Sequence, residues 1–341
     1  MNSNASLSSF LQVITGTSHT FLTYLSWILA SWRRPRSHQT RIVCLSDTHS
    51  QQCPVPDGDI LTHAGDMSQT GSAADIQETI NWLKTLPHRH KVVVAGNSDL
   101  FFDARSRLPE DMALCSDKES SSCQDDVSSI FDWGDIHYLQ GTSVTLDCSP
   151  IDTESPDRVS GSVPRYLKIY GAPYVPECGP DHENAFQYPV THNAWNGKIP
   201  PSTDILVTHT PPKYHLDWDF GSPEGCAFLL DEVRKVRPLL HVFGHVHASY
   251  GAERVIWNKA QLRWEGFCAE VQELQRQDGV KILRRVKLGL DATMVLLSGV
   301  WDLLGSLIVT GRLEGQSTLM VNAACMKEDE KLGNEPRLVY L

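Results

Sequence analysis

Five short apolar runs, residues 41–45, 60–62, 92–95, 205–208 and 239–243, are each followed at once by a polar cluster, and this pattern constrains the fold more than any other feature. The runs are rich in Val, Ile and Leu and lack the polar alternation of a half-exposed strand, so they read as central strands covered on both faces. The clusters that follow are Asp47-Thr48-His49, Gly65-Asp66, Gly96-Asn97-Ser98-Asp99, Thr208-His209-Thr210-Pro211-Pro212 and Gly244-His245-Val246-His247. In open α/β sheets ligands collect beyond the carboxyl ends of such strands, where loops converge. Asp47, His49, Asp66, Asn97, His209, His245 and His247 are therefore expected to face one crevice.

These seven donors are carboxylates, an amide and imidazoles, more than the four that close a tetrahedral zinc site. They fit two metals sharing a bridging carboxylate. Singly, the signals are weaker: Asp47 could cap a turn, and His49 or His209 could be a core histidine bonded to backbone. The Gly-His-x-His group is more specific, since period-two spacing on a strand is expected to put both imidazoles on one side.

This order of motifs resembles the calcineurin-like metallophosphoesterase superfamily. The stretches Cys44-Leu45-Ser46-Asp47-Thr48-His49-Ser50, His63-Ala64-Gly65-Asp66, Ile169-Tyr170-Gly171-Ala172-Pro173 and Val242-Phe243-Gly244-His245 resemble its metallophosphoesterase-domain proteins of animals and fungi. The resemblance covers residues 41 to about 258, plus Val321-Asn322-Ala323-Ala324-Cys325, which is similar to the family's last core strand. It implies an α/β fold, a four-layer α/β/β/α sandwich with two mixed β-sheets. It also implies that Asp47, His49 and His247 hold a first divalent ion, that Asn97, His209 and His245 hold a second, and that Asp66 bridges them. By the same resemblance Asp66, Asn97, His209 and His247 serve catalysis. Hard oxygen and imidazole donors without thiolate suit Mn, Fe, Zn or Mg, with manganese the first to try. Two such ions would generate a metal-bridging hydroxide and stabilise an in-line displacement at phosphorus. The expected substrate is a small anionic phosphoester, a phosphodiester such as a cyclic nucleotide, because some members of the group hydrolyse these.

One position departs from the family pattern. The asparagine of the Gly-Asn motif is usually followed by a histidine that can protonate the leaving oxygen, and here it is followed by Ser98. A hydroxyl can contact phosphate, but its pKa is far too high to deliver a proton as imidazolium does. A metal-binding scaffold with little turnover is thus the rival expectation.

The remaining sequence sets boundaries. The chain has 341 residues, of which 41% are hydrophobic, enough for one sizeable α/β core. A formal net charge of −11 argues against a nucleic-acid backbone as partner. Nine cysteines, an odd number without Cys-x-x-Cys spacing, read as free thiols in a reducing compartment. Cys44 and Cys325 are expected inside core strands. Oligomeric state has no sequence signal.

Three segments follow: 1–40, a core over 41–330, and a tail over 331–341. Residues 1–40 contain no Asp or Glu, and their apolar stretch precedes Arg33, Arg34 and Arg36. Residues 10–32 are long enough for membrane contact, with the arginines keeping the domain on the cytoplasmic side, although Gln12, Thr15, Gly16 and His19 weaken a spanning segment. A mitochondrial targeting peptide and a disordered or loosely docked tail are the other readings. Ser72-Ala73-Ala74-Asp75 predicts a capping box opening a helix through Ile76, Ile80 and Leu83 to Pro87. Ser222-Pro223 predicts the start of a second helix, through Phe228, Leu229 and Val233 to Pro238. Residues 115–126 and 148–163 read as surface loops. An apolar insertion over about 260–316 is expected to pack as an amphipathic helix on the domain or on a membrane surface.

Overall fold

Along β1 (Arg41–Leu45), Ile42 and Cys44 point to one face of the sheet and Val43 and Leu45 to the other, and all four are fully buried. A strand apolar on both faces needs a layer on each side, and the architecture supplies two stacked sheets with helices outside. This computed structural model describes residues 39–116, 130–149, 165–180, 182–219, 222–276, 317–327, 329 and 331–341. Its two large sheets contain, in chain order, β1, β2 (Ile60–Ala64), β3 (His90–Val94), β4 (Ile136–Tyr138), β5 (Thr142–Asp147), β6 (Tyr166–Ala172), β7 (Ile205–Thr208), β8 (Leu240–Phe243), β9 (Gly251–Ile256), β10 (Ser317–Asn322) and β11 (Arg337–Tyr340).

The first sheet has the order β11-β1-β2-β3-β4, with β1 to β4 parallel and β11 antiparallel to β1. The second has the order β9-β10-β8-β7-β6-β5, parallel from β10 to β6 and antiparallel at both edges. Between them lies a core in which Ile42, Ile60, Val92 and Val94 meet Ile169, Ile205, Val207, Val242 and Val321. Helix α1 (Ala73–Thr85) covers the outer face of the first sheet, where Ile76, Ile80 and Leu83 join Val43, Leu45, Leu61 and Val93. Helix α2 (Ala227–Val236) covers the second, with Leu229, Leu230 and Val233 on Leu206, Phe243 and Met320. Each such side chain contributes about 1.5–3 kcal/mol by leaving water. The expected four-layer α/β/β/α sandwich of two mixed sheets is the fold.

Local signals work at α1 and fail at α2. Ser72 caps α1 by accepting from the Asp75 N–H, and Leu86, extended ahead of Pro87, ends it. Only half of the expected capping box forms, because the Asp75 carboxylate accepts instead from Gln69 N and Thr70 N. Ser222-Pro223 does not open α2. Those two residues pair as a short antiparallel strand with Trp218-Asp219, and the helix begins four residues later, capped by Cys226 Sγ accepting from Leu229 N. Residues 331–341, expected as a tail, contain edge strand β11, whose Val339 pairs with Ile42 and is buried. Of the stretch 321–325, only Val321 and Asn322 belong to β10, which is not the last strand of the chain, and Cys325, expected inside a strand, lies buried three residues beyond its end.

Helix α3 (Lys259–Arg276) opens the insertion and packs on the domain through Ala260, Trp264, Phe267 and Cys268. The rest of the insertion, including the apolar stretch from 288 to 304, lies outside the described residues, as do residues 1–38 and most of the two expected surface loops. Among the described residues no helix is long and apolar enough to cross a membrane.

Candidate metal centre

Asp47 follows β1, Asp66 follows β2, Asn97 follows β3, His209 follows β7, and His245 and His247 follow β8. Both sheets thus present the carboxyl ends of parallel strands to the same place. Asp47 (φ 54°), His49 (φ 43°), Asp66 (φ 53°) and His245 (φ 68°) all hold left-handed backbone, which non-glycine residues adopt only when surroundings impose it. The imposing contacts are hydrogen bonds between the first two loops: Asp47 N to Gly65 O at 2.9 Å, His49 N to Asp66 O at 3.1 Å and Ser50 N to Met67 O at 2.8 Å.

Two groups of ligand atoms converge, Asp47 with His49 and His247, and Asp47 with Asp66 and His209; within each, the atoms lie within 4.8 Å of one another. Asp66 stands between the histidines of the two groups, with Oδ2 3.6 Å from His49 Nε2 and Oδ1 3.3 Å from His209 Nε2. His247 Nε2 lies 3.4 Å from Asp47 Oδ1. Asn97 Oδ1 lies 2.9 Å from His209 Nε2, while His209 Nδ1 donates to Ala64 O at 2.8 Å, which directs Nε2 inward. His245 joins neither group: its ring lies beside that of His209, with centroids 5.0 Å apart, and its backbone N–H donates to both oxygens of Asp47. The strand-alternation argument for His245 and His247 does not hold, because both lie past the end of β8, His247 in a 3-10 turn. Their imidazoles diverge, one toward His209 and the other toward Asp47 and His49.

The electrostatics suit a cation. Burial favours neutral carboxyls, yet contact with His209 and His49 holds Asp66 well below the usual range, and contact with His247 lowers the pKa of Asp47. Burial lowers the His209 pKa, but Asp66 and Asp47 outweigh it and raise it to about 9. Buried beside His209, His245 is pushed down to about 4, the neutral form that a ligand needs. Buried His49 Nε2 has no hydrogen-bond partner among the described residues. An orphaned imidazole nitrogen 3.6 Å from the ionised Asp66 carboxylate, in a group with Asp47 and without thiolates, fits a divalent ion with oxygen and nitrogen ligands.

Two residues around this centre were not assigned roles by sequence reasoning. Asp99, fully buried, accepts from Gly96 N, Met67 N, Ser68 N and Ser68 Oγ at 2.8–3.2 Å and ties the Asp66 loop to the Asn97 loop. Burial and the neighbouring Asp66 raise its pKa to about 6. Asn184 accepts from Asn97 Nδ2 at 3.0 Å, from a loop with no sequence pattern. Asp99 stood within the Gly-Asn-Ser-Asp cluster and could have been singled out; Asn184 carried no signal. Ser98 donates through both N and Oγ to the Asp66 oxygens, at 2.8 and 3.0 Å, so its hydroxyl is engaged with a carboxylate.

Fold and site together define an α/β sandwich with a metal-binding centre at the mouth shared by its two sheets. The chain belongs to the calcineurin-like phosphoesterase family, whose sequence profile matches residues 40–249. It is 35% identical over 222 residues to human metallophosphoesterase domain-containing protein 1, a match covering 62% of each chain. It is also 37% identical over 235 residues to a protein of Emericella nidulans named probable rhamnogalacturonate lyase C, covering 68% of this chain and 19% of that one. The chain therefore spans less than two thirds of the length of either relative. A crystal structure of the protein TT1561 of Thermus thermophilus aligns over 64% of this chain and 84% of that one, at 14% identity and a TM-score of 0.34.

Proposed function

We propose that the protein is a dinuclear metal-dependent phosphoesterase acting on a small anionic phosphodiester, with cyclic nucleotides the first class to test. The observation that carries this reading is the position of Asp66, with one oxygen toward His49 and the other toward His209. That geometry suits a carboxylate shared between two cations. Divalent ions bound there would lower the pKa of a water and neutralise developing charge on phosphoryl oxygens. Asp66 is kept in place by Ser98 N and Oγ, Asp47 by the backbone of His245, and His209 by Ala64 O. In this proposal Asp66, Asn97, His209 and His247 serve catalysis by holding the ions, together with Asp47, His49 and His245.

Steady-state hydrolysis of bis(p-nitrophenyl) phosphate with added Mn tests it. Wild type should turn over and Asp66→Ala should not; equal rates would refute the proposal. A second reading, a metal-binding scaffold with little turnover, is favoured by the engagement of Ser98 Oγ with Asp66, which leaves this position without a proton donor for the leaving group. Two Mn per chain with no hydrolysis of any ester in a phosphodiester panel would establish that alternative. Membrane contact or targeting through residues 10–32, with the domain on the cytoplasmic side, is a separate proposal carried by the acid-free apolar sequence. Fractionation of full-length and truncated forms checks it.

A further inference from the structure

We propose that Asn184 is a positioning residue for the metal centre: it holds the Asn97 side chain so that the amide oxygen, and not the amide nitrogen, faces the cation. This rests on the metal reading above. An asparagine can bind a cation only through Oδ1, and its terminal torsion is broad and roughly two-fold, so something must select the orientation. Here the selection runs along one chain of donors. Asn97 Nδ2 donates to Asn184 Oδ1 at 3.0 Å, and Asn184 Nδ2 donates to Pro180 O at 3.3 Å. A backbone carbonyl can only accept, so Pro180 O fixes the orientation of Asn184, and Asn184 in turn fixes that of Asn97. Oδ1 of Asn97 is left pointing toward His209 Nε2, 2.9 Å away.

The loop bearing Asn184 is built to hold this arrangement. Ala185 N donates to Asn97 O at 2.8 Å, which docks the loop on the backbone of the residue it orients. Phe186 N donates to Asp103 Oδ2 at 2.8 Å, and Asp103 is clamped by Arg105. Gln187 closes the loop on itself, accepting from Cys178 N and Gly179 N and donating to Gly179 O. His209 is treated alike, its outer nitrogen bound to Ala64 O so that the inner one faces the site. Outer partners of this kind typically change metal affinity by about ten- to a hundredfold when removed.

The test is equilibrium titration of Mn into EDTA-stripped full-length protein by calorimetry, with wild type, Asn184→Ala, Asn184→Asp, Asn97→Asp and the double variant Asn97→Asp/Asn184→Ala. Asn184→Ala should weaken one of the binding steps by about ten- to a hundredfold. Asn184→Asp keeps an acceptor toward Asn97 Nδ2 but sets its second oxygen against Pro180 O, so it should weaken binding less than Asn184→Ala does, by under about tenfold. In the Asn97→Asp background both outer atoms are oxygens, there is no orientation to choose, and Asn184→Ala should have no further effect. Loss in both backgrounds would mean that Asn184 merely supports the loop, and would overturn the proposal. Unchanged binding by Asn184→Ala would overturn it as well. Should Asn184→Ala fail to fold in EDTA, as judged by its melting transition, the comparison of Asn184→Asp with wild type decides: a loss of tenfold or more overturns the proposal. Folded wild type that binds no Mn would overturn the metal reading and this inference together, whereas normal wild-type binding with an indifferent Asn184→Ala overturns the inference alone.

Discussion

Gly96→Ala should destroy the metal centre without unfolding the domain. A Cβ at Gly96 would lie 2.2 Å from Asp66 Oδ1, 2.4 Å from Asp66 N and 2.7 Å from His209 Cε1. Against the roughly 3.5 Å at which non-bonded heavy atoms rest, the shortfall to Oδ1 is about 1.3 Å (3.5 − 2.2) and to N about 1.1 Å (3.5 − 2.4). Retreat is blocked on both sides. Asp66 Oδ1 is held by Ser98 N, and Gly96 N is anchored to Asp99 at 2.8 Å. Asp66 must therefore shift by about an ångström, several times the tolerance of about 0.2 Å on metal–ligand distances. Mn affinity should fall by about a hundredfold or more, beyond what loss of an outer partner does. Overpacking of this kind costs about 1–3 kcal/mol, which lowers the melting temperature in EDTA by roughly 2–10 °C. Calorimetric Mn titration and thermal melts measure both quantities. Gly266→Ala is the control: its Cβ would meet nothing within 4 Å on the exposed face of α3, so it should leave Mn binding alone and stabilise by about 0.5–1 kcal/mol. Wild-type Mn affinity in Gly96→Ala would refute the assignment of Asp66 to the centre.

Stability should also carry a signature of His215, whose Nδ1 lies 2.8 Å from buried Glu253 and whose Nε2 lies 3.5 Å from Glu265. Burial lowers its pKa, but Glu253 and Glu265 outweigh this and raise it to about 9. Because the folded value exceeds the unfolded one, the stabilisation is fully present below about pH 6.5 and is lost as pH rises through about 9. Its size is on the order of 3 kcal/mol; denaturant midpoints from pH 6 to 10 should fall in wild type and flatten in His215→Gln, and parallel curves would contradict this. Ser98→His should raise turnover of alkyl phosphodiesters about a hundred- to ten-thousand-fold relative to aryl ones, because only the poor leaving groups need a proton. Kinetics of both proteins on one ester of each type checks it, and equal ratios would discard the missing-acid reading. Deleting residues 1–38 should leave Mn stoichiometry and turnover unchanged, since every candidate ligand lies at or beyond Asp47; a large fall in specific activity would show that the segment contacts the site.

Much of this protein is legible in its sequence because the signals are local. Apolar runs locate β1, β2, β3, β7 and β8 to within two residues at either end, and the polar residues after them are the ones found at the mouth of the sandwich. Ser72 and Pro87 bound α1 for the same reason, since a cap and a proline act within one turn. Where a distant partner competes, local signals lose. Ser222-Pro223 pairs with Trp218-Asp219 and opens no helix, and residues 337–340, within the expected tail, become an edge strand because β1 offers them a free side and a core for Val339.

The sequence by itself determined the donor types, their places at strand ends and, through the family resemblance, the sandwich. Only the tertiary structure decided which donors meet. Asp47 is linked to the backbone of His245, 198 residues away, and Ser98 turns its hydroxyl to Asp66. His245 and His247 part company past β8, while Asn184 reaches Asn97 from a loop that no periodicity marks. The physical reason is range. Strand and cap preferences act over a few residues, but convergence depends on sheet order, on stacking and on left-handed turns imposed by bonds between neighbouring loops, and all three arise from contacts between parts of the chain far apart in sequence.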